Sequence, residues 1–110
     1  MIAKTLIDFL SDELDVFVGM ESPAQTADYV IIDQTGSSFS NRIKTTTFAI
    51  QSYGATLYDA MVLNDSVHEA MDRFTEHPSV AGVHLETDYN FTDTATKQYR
   101  WQAVYQITHY

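Results

Sequence analysis

The sequence predicts an α+β domain: a mainly antiparallel five-stranded sheet with two helices packed on one face, in the chain order α-β-β-β-α-β-β. Three observations carry that expectation. Two segments repeat their apolar residues at helical spacing. Five segments alternate apolar and polar residues, or are dense in β-branched and aromatic ones, as strands are. Finally, one sheet face can bury both helical stripes in a single core. At 110 residues the chain fits one domain.

The first helix is expected over 2–14. Ala3, Leu6, Ile7, Leu10 and Leu14 share one face, with Ile2 and Phe9 on its flank. Lys4, Asp8, Ser11, Asp12 and Glu13 take the other. "DVFVGM" reads as a short strand, 16–20, and "ESPAQTAD" as a turn-rich connection carrying Pro23. "YVIID" sets a second strand at 28–34. "QTGSSFSN" is rich in turn formers and reads as a polar loop over 34–42. "RIKTTTFAIQSY" gives a third strand, 42–53.

The period then changes. Ala60, Leu63, Val67, Ala70, Met71 and Phe74 keep helical phase within 54–76, led in by Leu57 and Met61. Asn64-Asp65-Ser66 are weak helix formers, and Ser66 with Glu69 has capping-box spacing. One unbroken helix is expected all the same, because the stripe stays in phase, and His77-Pro78 ends it. Two strands follow, 80–91 and 97–109, joined by "TDTAT". In the first, Val83, Leu85, Thr87, Tyr89 and Phe91 are expected on the helix side. In the second, Tyr99, Trp101, Ala103, Tyr105 and Ile107 are. The opposite sheet face is then polar, weakly charged and rich in glutamine, fit for water or for another chain.

Composition narrows the function. Fifteen acidic against six basic side chains leave a net charge of −9, which repels phosphate backbones and anionic membranes. With no cysteine there is no disulfide, thiolate nucleophile or Cys-based zinc site. The opening "MIAKTLIDFLSDELD" lacks the basic and long apolar regions of a signal peptide, so a cytoplasmic folding compartment is expected. The glycosylation-like triplets at Asn64 and Asn90 then carry no modification.

No active-site pattern stands out. Asp88, Asn90 and Asp93 lie close together, but an EF-hand loop needs glycine at its sixth position and glutamate at its twelfth. Asp93 and Tyr99 occupy them. His68, His77, His84 and His109 have no zinc-binding spacing, although His84 and His109 could meet across the sheet. Gly36-Ser37-Ser38 lacks the lysine ending of a phosphate loop, and there is no G-x-S-x-G elbow. No catalytic, metal or cofactor residue is therefore expected.

The basic residues are more informative. Arg42, Lys44, Lys97 and Arg100 stand at the starts of the third and fifth strands, while acids concentrate in 8–33 and 59–76. Separated signs let copies of one chain pair head to tail.

Three stretches together resemble one family: "MIAKTLIDFLSDEL", "TTTFAIQSYGATLYDAMVLNDSVHEAMD" and "DYNFTDTATKQYRWQAVYQITHY". They are similar to the small tail-terminator and head–tail joining (neck) proteins of long non-contractile-tailed bacteriophages and prophages. The resemblance covers most of the chain. It implies a non-enzymatic virion protein, assembled in the host cytoplasm, that is monomeric in solution and a hexameric ring when assembled. The ring caps the tail tube and docks on the head connector, while genome DNA passes through without specific binding. It also implies that the loop 34–42 (Gly36, Ser37, Ser38, Phe39, with Arg42 and Lys44 beside it) and the hairpin around Asp88, Asn90, Asp93, Lys97 and Arg100 meet neighbours. Two rivals remain open at this point. One is an acidic binding module of the immunity or DNA-mimic type, and the other is a small hydrolase with an unrecognised site.

Overall fold

A computed structural model describes residues 1–23 and 28–110. The elements follow in the order α1 (Ile2–Glu13), β1 (Phe17–Gly19), β2 (Tyr29–Ser40), β3 (Ile43–Gly54), α2 (Leu57–Phe74), β4 (Val80–Asn90) and β5 (Tyr99–His109). The architecture is α+β, with two helices and a five-stranded sheet. The middle of the expected 21–28 connection, 24–27, lies outside the described residues.

Two features of the sheet differ from expectation. It is mixed, because β1 runs parallel to β2 while the other three pairs are antiparallel. A parallel neighbour normally needs a connection of about a dozen residues or more. Here β1 has only three residues, so residues 20–28 suffice for the chain to return beside it. The spatial order is also β1-β2-β3-β5-β4, so the last strand in sequence is inserted between β3 and β4. That places the chain's most apolar late strand at the sheet interior and leaves β4 on the edge.

The core forms where both helices meet one sheet face. Leu6 and Leu10 of α1, and Val67, Met71 and Phe74 of α2, pack with Val30, Ile32, Phe48, Ile50, Ala103 and Ile107. Phe9 leans on Phe74 with ring centroids 4.8 Å apart. Arg73 joins the helices at the surface, its Nη2 donating to Glu13 Oε2 at 2.9 Å. Among the described residues no helix is long and apolar enough to cross a membrane.

Helix α2 is unbroken through Asn64-Asp65-Ser66, as its stripe predicts. Ser66 caps nothing; its hydroxyl donates back to the Val62 carbonyl at 3.3 Å. The working cap is Thr56, whose Oγ1 accepts from the Asp59 amide at 3.1 Å. The turn into α2 is tight. A Cβ on Gly54 would stand 2.5 Å from the Ala60 nitrogen, so only glycine fits there.

The expected loop over 34–42 is instead the far end of a long hairpin. β2 runs to Ser40 and β3 starts at Ile43, which leaves Asn41 and Arg42 as a two-residue turn. Both have positive φ, 51° and 66°, as a type I′ hairpin turn requires. Polar composition concealed the strand, because residues 33–40 have no core to face and need no apolar alternation.

Candidate functional site

The registers place the predicted site residues at two ends of one elongated body, 44 Å in its longest dimension. Lys44 pairs with His109, and ten residues on Gly54 pairs with Tyr99. At about 3.3 Å per residue those two levels lie roughly 33 Å apart. Gly36, Ser37, Ser38, Phe39, Arg42 and Lys44 gather at the first end. Asp88, Asn90, Asp93, Lys97 and Arg100 gather at the second. The four basic residues therefore do not form one basic edge. β3 and β5 are antiparallel, so their starts point to opposite ends and the cations divide into two pairs.

The first end is bare. Phe39 is 65% exposed, and Ile43 is exposed beside it. Gly36 follows a bulge between Gln34 and its own position, and a side chain there would touch nothing within 4 Å. Beneath Phe39 lies an open cleft of about 490 Å³ that includes Ile2, Gln34, Thr46 and His109. His109 is buried at its floor and shares a 2.8 Å hydrogen bond with Thr46 Oγ1. Burial lowers its pKa below the ordinary histidine value, and Lys44 adds to the effect.

The second end is built from internal partners. A bulge between Leu85 and Thr87 shifts the alternation of β4 by one residue. Val83 and Leu85 stay on the helix side, as expected. Thr87 and Tyr89, which the simple alternation put there too, turn to the opposite face. Asp88 turns toward α2 in their place. Its Oδ1 accepts from Asn64 Nδ2 at 3.0 Å and from Trp101 Nε1. Its Oδ2 accepts from His68 Nε2 at 2.9 Å, and His68 Nδ1 contacts the Tyr105 hydroxyl. Sequence reasoning assigned Asp88 to the hairpin and missed this cluster. A helix-period reading of α2 that kept polar as well as apolar residues would have aligned Asn64 with His68, four residues apart.

A Tyr–His–Asp series invites comparison with a nucleophile, base and orienting acid. The phenol argues against it. Tyr105 is buried, and burial, with Asp72 and Asp88 nearby, pushes its pKa far above the ordinary value. A phenol held protonated donates a hydrogen bond and makes a poor nucleophile. The cluster ties α2 to β4 and β5. His84 and His109 do not meet: β4 pairs Val80 with His109 and His84 with Gln106. Among the described residues no three His, Asp or Glu groups are placed to hold a metal ion.

Beyond Asp88 the hairpin closes on itself. Asn90 Oδ1 accepts from the Thr92 amide at 3.0 Å, and Asp93 Oδ1 accepts from the Ala95 amide at 3.0 Å. Hydrogen bonds from Thr96 and Ala95 hold the Asp93 carboxyl below the usual carboxylate range. Lys97 sits at φ 57° in the turn, and Asp93 bridges to Gln98. Arg100 donates through Nε to the Phe91 carbonyl at 2.6 Å and lies 4.5 Å from the Phe91 ring centroid.

Arg100 also opens a polar network on the sheet face away from the helices. Its Nη1 donates to Tyr53 Oη at 3.2 Å, and that hydroxyl donates to Gln51 Oε1 at 3.1 Å. Gln51 Nε2 donates to Gln102 Oε1 at 2.8 Å, and Gln102 Nε2 donates to the Tyr89 hydroxyl oxygen. Tyr29 stacks on Tyr53 at 4.6 Å. The face expected to be polar and glutamine-rich is a cross-linked layer of glutamines and rings. Near this same end, Glu13, Asp15, Asp28 and Asp59 line a shallow acidic cleft. Comparison with models of known protein families and with curated proteins finds no match.

Proposed function

We propose that this chain is a non-enzymatic assembly subunit that works as a ring, in the manner of a tail terminator that caps a phage tail tube and joins it to the head connector. The observation that carries this reading is the placement of two unlike hairpin ends at opposite poles of one sheet. One pole is basic and apolar, with Arg42, Lys44 and Phe39. The other is a finished hairpin beside an acidic cleft. Unlike poles give each subunit two different surfaces to offer its neighbours. They support heterologous contacts, which close into rings or stack between different neighbours. In a hexameric ring one pole meets the tail-tube protein and the other meets the connector. A net charge of −9 suits a channel through which DNA must slide, because bound cations would add affinity and friction.

The test is sedimentation velocity of the purified chain over a range of concentration and salt, alone and with purified tail tubes. The expected result is a monomer alone and a ring-sized increment bound to tube ends. A strict monomer that ignores tubes under every condition overturns the reading.

A further inference from the structure

Both edges of the sheet are open among the described residues. β4 has β5 on one side only. β2 pairs with β1 over Tyr29–Ile31 alone, which leaves its outer edge unpaired from Ile32 to Ser40. A row of unpaired N–H and C=O groups is a template for another strand, and native edges are blunted by charge, proline or bulges. β2 has one bulge, next to Thr35. After it, Gly36–Ser40 carries neither charge nor proline.

We propose that the free edge of β2 takes the β4 edge of a second copy as an added antiparallel strand, so that the sheet continues from subunit to subunit. This rests on the assembly reading above and names its lateral contact. Two features select β4 as the occupant. The first is level. Phe39 pairs with Lys44, Lys44 with His109, and His109 with Val80. At the other limit Ile32 pairs with Ile50, Ile50 with Ala103, and Ala103 with Asp88. The free stretch of β2 is thus level with Val80–Asp88, and a neighbour placed alongside without sliding brings matching lengths together.

The second feature is direction. Three antiparallel steps separate β2 from β4, so the two strands run oppositely. A copy rotated about an axis along the strands keeps that sense, and the new pair is antiparallel, the more stable arrangement. The β4 bulges near Ala81 and Glu86 leave two regular runs and bend the strand between them. A bend repeated at every contact curves the chain of subunits toward closure.

The absence of native cysteine makes cross-linking a clean test. Ser38→Cys/His84→Cys and Ser38→Cys/Gly82→Cys cover two neighbouring registers. Each is treated with a short bis-maleimide at high concentration and on purified tail tubes, then run on a denaturing gel. The parent chain's assembly is followed in parallel by native mass spectrometry. The expected result is a covalent ladder extending past the dimer in at least one double variant, with the single variants remaining monomeric. A dimer from Ser38→Cys alone means that two β2 edges pair with each other and overturns the proposal. Rings in the mass spectra without a ladder overturn it while leaving the assembly reading intact. A parent chain that never associates, with or without tubes, overturns both.

Discussion

The two hairpins of this molecule have nearly equal length and opposite character. The β4–β5 end is stitched by its own side chains: Asp88 to Asn64, His68 and Trp101, Asn90 to the Thr92 amide, Asp93 to its turn, Arg100 to Phe91 and Tyr53. The β2–β3 end, from Thr35 outward, has two such bonds among the described residues, from Thr35 Oγ1 to the Thr47 carbonyl at 3.4 Å and between Thr46 Oγ1 and His109 Nε2 at 2.8 Å, and neither reaches past Thr46 toward the turn. Beyond them stand exposed Phe39 and Ile43. A hairpin finished internally supplies its own rigidity. One that leaves an aromatic side chain in water and an edge unpaired has its remaining stabilisation to gain from a neighbour. The difference separates a structural anchor from a contact surface within one fold, and it can be tested one residue at a time.

The largest expected effect is at Asp88. Asp88→Ala removes the acceptor shared by Asn64, His68 and Trp101 and leaves the buried Asn64 amide nitrogen with His68 Nε2 alone, at 3.1 Å. Hydrogen bonds to a charged acceptor contribute about 1.5–3 kcal/mol each. The Asp88 side chain is 34% exposed, which tempers the sum. A loss of about 3 kcal/mol is expected, read from the urea midpoint at unchanged slope. Asp88→Asn, which keeps one acceptor oxygen, should lose less. A loss under about 0.5 kcal/mol for Asp88→Ala would mean that the stitching is ornamental and the contrast between the hairpins false.

Arg100→Ala comes next, at about 1 kcal/mol. It gives up the guanidinium contact with the Phe91 ring and the hydrogen bonds to Phe91 and Tyr53 at a partly exposed site. Arg100→Lys should not restore it, because a point charge cannot serve the carbonyl, the phenol and the ring together. Rescue by lysine would reduce Arg100 to a charge effect.

Much of the fold was legible in the sequence, and the failures have a common cause. The helices, the seven elements in order and the unbroken α2 follow from periodicity, because their apolar stripes face a core. Periodicity is silent where no core is faced. Residues 34–42 read as a loop because an exposed ribbon has no reason to alternate, and only Asn41, at ease with positive φ, hinted at a two-residue turn. The Leu85/Thr87 bulge was invisible for a related reason, since an inserted residue leaves composition unchanged while exchanging the faces of everything beyond it. The site divides the same way. Residue types at both ends were named as candidates, but their division between two poles needed the order β3-β5-β4.

A smaller effect is expected from acid. The Asp93 carboxylate is favoured by hydrogen bonds from Thr96 and Ala95, so its pKa in the folded chain lies below the ordinary 3.8. The unfolded chain therefore takes up the proton first as pH falls. The contribution of Asp93 is complete above about pH 4 and fades as pH drops through the lowered value. Amide exchange at Ala95 and Thr96 should accelerate over that acid range, and Asp93→Ala should show the fast exchange at every pH. A turn whose exchange ignores both changes is held by its backbone alone.

The smallest effect on stability, and the most discriminating, is expected at Phe39. Its ring is 65% exposed, so Phe39→Ser removes little buried apolar surface from the isolated chain, and the urea midpoint should move by no more than about 0.5 kcal/mol. Association should respond differently. If β2 finds its partner in a neighbouring subunit, Phe39 becomes buried there, and its removal should weaken binding to tail tubes by about tenfold or more, since burying a phenylalanine is worth roughly 1.5–3 kcal/mol. Paired measurements on one variant, chemical unfolding and tube binding, therefore separate the two roles. A large stability loss with normal binding would place Phe39 in the subunit's own packing, and the β2–β3 end would then be as self-contained as the end that Asp88 holds.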